Sequence, residues 1–197
     1  MIKTIKVGML DTNCYLITEG KKSVIIDPGD NAEKILSELE KNKLEAIILT
    51  HLHFDHILAV QKIKEKTRAK IVYHKKDLEI LEKGSFLLDE KDLFLENDGR
   101  IPLEEHGFFL DAIHSPGHSP GSICIYDSKN KVLFSGDTIF KGAVGATHFR
   151  GGSFKEIKKS IKNNIFRVFD DIDVYPGHGD KFNLAHYKKE IADILGD

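Results

Sequence analysis

Residues 46–56 read AIILTHLHFDH and contain the strongest local signal in the chain. The apolar run Ala46–Leu49 is typical of a buried strand, so the histidine-rich segment lies where a strand ends and a loop begins, before a helix predicted from Ile57. His51 and His53 are two residues apart in extended chain, which directs both imidazoles to the same side. Imidazole and carboxylate groups suit zinc, iron and similar divalent ions, and one ion would use only part of this set.

Three other short segments carry residues of the same kind: SPGHSPG at 115–121, FSGDT at 134–138 and YPGHGD at 175–180. His118 is predicted in a tight turn between two strands, and Asp137 and His178 come directly after strands. Glycine beside these residues lets the backbone approach closely. Because strand ends at one edge of a sheet layer meet in space, we expect the segments to contribute to a single site.

The residues in these segments provide enough ligands for two metal ions. Two groups of three are predicted: His51, His53 and His118 for one ion, and Asp55, His56 and His178 for the other. Asp137 would bridge the two ions. Two ions about 3.5–4 Å apart can clamp a water molecule, lower its pKa to about 7 and polarise a substrate oxygen. The chemistry indicated is hydrolysis by a metal-bound hydroxide, which requires no serine or cysteine nucleophile.

The order of predicted elements indicates a layered α/β fold. Strand-like runs are Thr12–Thr18, Ser23–Asp27, Ala46–Leu49, Ala69–Tyr73, Phe108–Ile113, Ser122–Tyr126, Lys131–Phe134 and Ile172–Tyr175. Helix-like runs are Ala32–Asn42, Ile57–Lys66, Lys76–Lys83, Phe154–Asn163 and Asn183–Leu195. The strands flanking residues 127–130 predict a hairpin, so we expect a mixed sheet or two packed sheets with helices outside. With 197 residues and no linker, the chain is predicted to form one domain over residues 1–197.

Composition and charge exclude several classes of protein. The 29 Lys and Arg residues nearly balance the 31 Asp and Glu residues, so no basic field favours nucleic acid. Two cysteines among apolar neighbours do not make a disulfide scaffold. The first residues lack the apolar core of a signal peptide, and no run approaches the ~18 apolar residues of a membrane span. We therefore expect a soluble, cytoplasmic protein that binds neither nucleic acid nor membrane.

The motifs THLHFDH (50–56), PGHSPGS (116–122), SGDTIF (135–140) and PGHGD (176–180), with IDPG at 26–29, resemble the metallo-β-lactamase-fold hydrolases. Among these, the chain is most similar to the small glyoxalase II-like, or hydroxyacylglutathione hydrolase-like, members. The resemblance implies a four-layer αββα sandwich of two mixed sheets, with the metals at one edge. It also implies that Asp55 both binds metal and orients the attacking water, with Asp137 as the second catalytic residue. The implied cofactors are two zinc ions, with iron or manganese as alternatives.

The activity implied by the resemblance is hydrolysis of a small-molecule thioester, S-acylglutathione or a related acyl-thiol. One alternative on this fold is oxidation of a persulfide at a single iron, for which His56 and His178 would not be needed as ligands. Lactonase and phosphoesterase activities are further alternatives, because the fold does not choose among them. A metal-binding electron-transfer module is the non-enzymatic alternative, but such relatives have a glutamate where this chain has His53.

Two features differ from glyoxalase II itself. That enzyme has a longer C-terminal helical domain, whereas 19 residues follow His178 here. A basic residue that contacts glutathione in the family aligns with Ala146. Both differences argue against glutathione as the thiol carrier, and Lys141, His148 and Arg150 are the candidate replacements for its anion contacts.

Two residues outside the ligand set are candidates for orienting it. Asp27 is implied by the resemblance to accept a hydrogen bond from a ligand imidazole, although an Asp-Pro-Gly sequence also forms tight turns without any such role. His114 precedes the His118 segment, and a structural or ligand-orienting role is predicted for it, since seven ligands already complete two sites.

Overall fold

A computed structural model describes residues 1–82 and 84–196 of the chain. Its strands are β1 (Ile2–Val7), β2 (Thr12–Glu19), β3 (Lys22–Ile26), β4 (Lys43–Ile48), β5 (Lys70–His74), β6 (Leu93–Leu95), β7 (Gly99–Arg100), β8 (Leu110–His114), β9 (Ile123–Asp127), β10 (Val132–Gly136), β11 (Ile139–Phe140), β12 (Ala143–Val144), β13 (Asp173–Pro176) and β14 (Phe182–Asn183). Its helices are α1 (Ala32–Glu38), α2 (Phe54–Ile57), α3 (Val60–Thr67), α4 (Phe154–Ser160) and α5 (Leu184–Ile194). A π-helix continues α4 over Ile161–Phe166, and 3₁₀ turns cover Lys75–Glu79 and Glu104–His106. Within the described ranges, every helix is too short or too polar to cross a bilayer.

The longer strands form two mixed sheets. In the first, β1 to β6 lie side by side in chain order, antiparallel from β1 to β3 and parallel from β3 to β6. In the second, the order is β14-β13-β10-β9-β8-β7, and only the β10–β13 pair is parallel within the described strands. The hairpin predicted around residues 127–130 is the antiparallel pair β9 and β10.

Side-chain alternation along the buried strands divides the apolar residues between two faces. In β3, Ile25 packs with the apolar side chains of α1 and α3, whereas Val24 and Ile26 pack between the two sheets. On the other side of the second sheet, Leu133 and Val174 pack against α4 and α5. The layers therefore follow the order helix, sheet, sheet, helix, which confirms the predicted αββα architecture.

One predicted helix was wrong. The segment Lys76–Lys83 contributes only to the 3₁₀ turn Lys75–Glu79, and Lys83 lies outside the described residues. Helical spacing would bury Leu78, but Leu78 is exposed and Asp77 is the buried residue of the turn. The inward position is thus occupied by a carboxylate with hydrogen-bond partners rather than by an apolar helix face.

Candidate metal centre

The seven candidate ligands converge at one edge of the two packed sheets. His51 and His53 follow β4 of the first sheet. Asp137 and His178 follow β10 and β13, parallel neighbours whose C-terminal ends lie side by side in the second sheet. The remaining candidates come from α2 and from the loop between β8 and β9: Asp55, His56 and His118.

The first predicted ligand group is compact. One ligand atom each of His51, His53 and His118 lies within 4.8 Å of the others. His53 Nδ1 and His118 Nε2 are 2.9 Å apart, and the His51 ring centroid is 4.8 Å from each of the other two rings. The three imidazoles therefore point ring nitrogens at a common volume, an arrangement that a cation can occupy.

The second predicted group adjoins the first. One ligand atom each of Asp55, His56 and His178 lies within 4.8 Å of the others. His178 Nε2 is 3.1 Å from Asp55 Oδ2, and His56 Nε2 is 3.3 Å from His178 Nε2 and 3.5 Å from Asp55 Oδ2. A carboxylate in this group supplies charge compensation that the first group lacks.

Asp137 lies between the two groups. Its Oδ2 is 3.6 Å from His118 Nε2 and 3.6 Å from His178 Nε2, so one carboxylate oxygen faces a member of each group. Its Oδ1 is buried and has no hydrogen-bond partner among the described residues, and the same holds for His51 Nε2. A buried polar atom without a partner is costly, by about 1–3 kcal/mol. Cations held by the two groups would satisfy both atoms, and imidazole with carboxylate is a suitable donor set for zinc, iron or manganese.

Hydrogen bonds at the outer nitrogen orient three of the imidazoles. His56 Nδ1 donates to Asp27 Oδ2 at 2.9 Å, His118 Nδ1 to the carbonyl oxygen of Ala146 at 2.7 Å, and His178 Nδ1 to that of Leu10 at 3.0 Å. In the neutral form of each ring, which is the form that binds metal, this bond places the ring hydrogen on Nδ1 and leaves the Nε2 lone pair directed inward. Ala146, which stands where the family has a basic residue, thus contributes through its backbone.

Asp27 also orients His51, through Thr50. The hydroxyl of Thr50 donates to Asp27 Oδ2 at 2.6 Å, which leaves its oxygen to accept from His51 Nδ1 at 3.1 Å. The backbone N–H of Thr50 donates to Asp27 Oδ1 at 2.8 Å. Asp27, His51 and His56 also form a group of close ligand atoms, but the Asp27 carboxylate is already engaged by the two Thr50 donors and by His56.

Burial keeps the first ligand group neutral. It lowers the pKa of His51 well below its usual value, with the neighbouring imidazoles acting in the same direction. Burial, followed by the proximity of His53, lowers the pKa of His118 to about 3. The pKa of His53 is also lowered by burial. At neutral pH these side chains are in the uncharged form that binds metal.

Nearby opposite charges determine the protonation of the second group. Burial opposes the charge of His56, but the carboxylates of Asp137 and Asp27 outweigh burial and raise the pKa of His56 to about 9. Burial acts to raise the pKa of Asp55, but the hydrogen bond from His178 and the charge of His56 lower it to about 2. Asp55 is therefore ionised at neutral pH, whereas His56 is protonated. If His56 binds a metal, its imidazole must first lose that proton.

Asp77 is a residue of this region that the sequence did not indicate. Its side chain is fully buried, and its Oδ2 accepts hydrogen bonds from Leu52 N at 2.9 Å and Ser119 Oγ at 2.8 Å. Its Oδ1 accepts from Gly121 N. These donors lie in the two loops that carry the first ligand group, so Asp77 ties those loops together. A single aspartate in a run rich in Lys and Glu has no pattern that would have identified it.

The three residues predicted to contact substrate anions lie at the periphery. Lys141 Nζ lies 5.7 Å from the ring centroid of Tyr187, and the His148 ring packs on Phe149 at 4.2 Å. Arg150 is exposed. Within the described chain, none of the three lines the cavity that opens onto the ligand groups. Their contact with substrate remains a prediction.

His114 acts on the loop of the first ligand group. Its ring stacks on that of His74, with centroids 4.1 Å apart and 3° between the planes. Its Nε2 donates to the carbonyl oxygen of Pro120 at 3.0 Å. The partner of His114 is thus the backbone two residues after His118, which places it among the residues that shape the loop.

The stacked pair predicts a pH-dependent stability. Burial, together with the proximity of His114, lowers the pKa of His74 to about 4, whereas an unfolded histidine has a pKa of about 6.5. Below about pH 6.5 the unfolded state takes up a proton that the folded state excludes. The stability from this group is therefore complete above about pH 6.5 and is lost as the pH falls to about 4. Between about pH 6.5 and 4, we expect the free energy of unfolding to fall less in His74→Asn than in the wild type. The measurement is urea unfolding at each pH, with a chelator present to keep metal out of the site.

His186→Asn is the matched control, because His186 is exposed on α5. It should follow the wild-type dependence on pH. An equal decrease of unfolding free energy in the wild type and in His74→Asn would contradict the assignment.

Comparison with known proteins agrees with this geometry. Residues 7–178 match the family model of the metallo-β-lactamase superfamily. The hydroxyacylglutathione hydrolase GloC of Haemophilus influenzae is 33% identical, over 95% of this chain and 95% of its own. The crystal structure of the BLEG-1 B3 metallo-β-lactamase is 32% identical and covers 100% of both chains, with a TM-score of 0.87. The crystal structure of TTHA1623 in a di-iron-bound form is 32% identical over 96% of this chain and 98% of its own, with a TM-score of 0.84. The chain therefore belongs to the metallo-β-lactamase superfamily and is a metallo-hydrolase of that family.

Proposed function

We propose that the protein is a glyoxalase II-like thioesterase that hydrolyses an acyl-thiol, S-acylglutathione or a related compound. The observation that carries the hydrolytic part is the pair of adjoining ligand groups with Asp137 between them. The similarity to GloC over nearly the whole of both chains supports the choice of a thioester. In this proposal residues 1–197 act as one metallo-β-lactamase domain on a small-molecule substrate in the cytoplasm.

In this function, the ligand groups would hold two divalent ions, His51, His53 and His118 one of them, and Asp55, His56 and His178 the other. When bound, such ions supply a water of pKa near 7 and a Lewis acid for the carbonyl oxygen. Zinc is the proposed metal, and the di-iron form of TTHA1623 supports iron as the alternative.

The residues around the ions would position the reacting groups. Asp55 is ionised and partly buried. Thr12 Oγ1 donates a hydrogen bond to its Oδ2 at 3.3 Å, which helps to hold the carboxylate in one orientation. Asp55 would accept a hydrogen bond from the attacking water and set its direction. No general acid is required for the leaving group, because a thiol has a pKa of about 8.5 and departs as the thiolate.

The test is hydrolysis of S-lactoylglutathione by protein reconstituted with zinc or with iron, followed as loss of thioester absorbance. His53→Ala serves as the blank, since it removes one member of the first ligand group. We expect metal-dependent loss at least about a hundredfold above the blank. No loss above the blank with two metals bound, for glutathione and for coenzyme A thioesters alike, would overturn the thioesterase proposal and leave the hydrolase class.

A β-lactam is the second candidate substrate. The observation that favours it is the 32% identity to BLEG-1 across the full length of both chains. A chromogenic cephalosporin assayed beside the thioesters separates the two candidates. A persulfide dioxygenase would use a single iron, whereas the second group of Asp55, His56 and His178 provides for a further ion.

A further inference from the structure

A cavity of about 230 Å³ opens directly onto the candidate metal centre. It reaches Asp137 and side chains of both ligand groups, and its apolar walls are Leu10, Phe54 and Phe149. The Phe149 ring lies 5.4 Å from the His53 ring and 6.0 Å from the His118 ring, so it covers the first ligand group. A carbonyl placed at the centre would therefore have an apolar wall beside it.

A second cavity, of about 150 Å³, adjoins the first. The two share Leu10, Phe54 and Asp55 in their walls, and the second extends past Met9 and Leu58. An apolar cavity of about 150 Å³ is large enough for a benzene-sized molecule. Together the two volumes suit a chain or ring of several carbons. Together they reach only the lower end of the range of about 300–1,000 Å³ found for pockets that enclose a drug-sized ligand, so an acyl chain that fills them leaves a tripeptide carrier outside.

Large exposed apolar side chains are concentrated here. Met9, Leu10, Phe54, Leu58 and Phe149 are all exposed, and each lines one of the two cavities. Contiguous exposed apolar surface is uncommon in soluble proteins and marks ligand or partner sites. Its continuity with the ligand groups points to the substrate of this centre rather than to a separate partner.

Positive charge is placed away from these cavities. Among the described residues, no Lys or Arg lines either one. In the neighbouring groove, Lys34 Nζ donates to the carbonyl oxygen of Lys6, and Lys62 pairs with Glu33 at 2.8 Å. A carboxylate on the enclosed part of a substrate would lose its hydration without gaining a cationic partner.

We propose that the enclosed part of the substrate is an apolar acyl group of about four to eight carbons, held by Leu10, Phe54 and Phe149. This inference rests on the proposed thioesterase function and narrows its substrate class. Small polar hydroxyacyl groups such as lactoyl are poorer substrates in this assignment, because they bury less apolar surface against Leu10, Phe54 and Phe149.

The acyl chain is varied on one carrier to test this. The rates for S-acetyl-, S-butanoyl-, S-hexanoyl- and S-lactoylglutathione are measured with the metal-reconstituted protein. We expect kcat/KM to rise by up to about fourfold per added methylene, and by at least about tenfold from acetyl to hexanoyl. Lactoyl should fall below butanoyl.

Substitutions in the apolar cavity wall test whether those side chains contact the acyl chain. In Phe149→Ala and Leu10→Ala, the ratio of hexanoyl to acetyl kcat/KM should fall by at least about fivefold. Phe94→Ala is the matched control, because Phe94 is 53% exposed, close to the 48% of Phe149, and lies on β6 at the far edge of the first sheet. It should keep the wild-type ratio.

Binding of uncleavable thioethers gives a readout independent of turnover. Calorimetric titration should show S-hexylglutathione binding at least about tenfold more tightly than S-methylglutathione, with the difference reduced in Phe149→Ala. If the enzyme cleaves all of these thioesters with the same kcat/KM, or cleaves S-lactoylglutathione best, this inference is overturned and the thioesterase proposal stands. If no thioester is cleaved, the thioesterase proposal fails. Equal binding of the two thioethers then overturns the apolar acyl site as well, whereas tighter hexyl binding supports it.

Discussion

Asp137→Ala is expected to lower kcat/KM of the metal-reconstituted protein by at least about a thousandfold while the chain stays folded. Asp137 is the carboxylate that faces both ligand groups, with one oxygen 3.6 Å from His118 Nε2 and from His178 Nε2. Without it, two cations held by the separate groups would lose the negative charge between them and repel each other. Losing one electrostatic stabiliser costs about 10²–10³-fold, and losing an ion as well costs more.

Metal content and far-ultraviolet circular dichroism separate this result from unfolding. The bound metal, measured by mass spectrometry after dialysis, should fall from about two ions per chain to one or fewer, with an unchanged spectrum. Asp193→Ala, at an exposed position of α5, is the control and should retain metal and activity. Full activity in Asp137→Ala would contradict the two-ion mechanism.

Much of the fold could be predicted because the buried strands have clear signals. The apolar run at 46–49 supplies the second half of β4, and the hairpin expected around residues 127–130 is the pair β9 and β10. β1 is different, since Lys3, Thr4 and Lys6 are exposed and the apolar face of this edge strand is narrow. Its alternation is too short to separate it from a loop without knowing that β2 lies beside it.

The candidate ligands were predictable because each lies in a short motif punctuated by glycine, proline or aspartate. The supporting contacts were not, because they depend on which distant backbone atoms meet. The backbone carbonyl oxygens of Leu10 and Ala146 accept hydrogen bonds from His178 and His118, respectively. The identity of the Leu10 or Ala146 side chain gives no indication of that role. Asp77 acts through three donors in two loops that only the fold brings together.

The apolar wall of the site shows the same limit. Phe54 lies inside the histidine motif, and Phe149 follows His148, yet in sequence both look like ordinary core residues. The structure leaves Phe54 and Phe149 exposed beside the ligand groups. Their position depends on how the loops after β4 and β12 approach each other, and no local spacing encodes that approach.

Gly177→Ala is expected to damage the centre almost as severely as loss of a ligand. A Cβ at Gly177 would lie 2.1 Å from Asp137 Oδ1 and 2.8 Å from Cε1 of His56, far closer than van der Waals contact allows. The backbone has little freedom to retreat, because Gly177 N donates to the carbonyl oxygen of Gly136, and Gly177 O accepts from Asn13 N, both at 2.8 Å. The side chain of Asp137 must therefore move. A displacement of about 1 Å in a reacting centre can cost about 10²-fold in rate.

We expect kcat/KM of Gly177→Ala to fall by at least about a hundredfold, with weaker metal retention during dialysis. Gly99→Ala is the matched control, since a Cβ at Gly99 would meet nothing within 4 Å. It should keep the activity and the metal of the wild type, and its unfolding free energy to within about 0.5 kcal/mol.

A double variant with Asp137→Ala tests whether Gly177→Ala acts through the Asp137 carboxylate. If Gly177→Ala acts by displacing that carboxylate, then adding Gly177→Ala to Asp137→Ala should lower the residual activity little further, because two changes that remove the same interaction are not additive. A large additional loss in the double variant would show that Gly177 acts through the backbone of the His178 loop and not through Asp137.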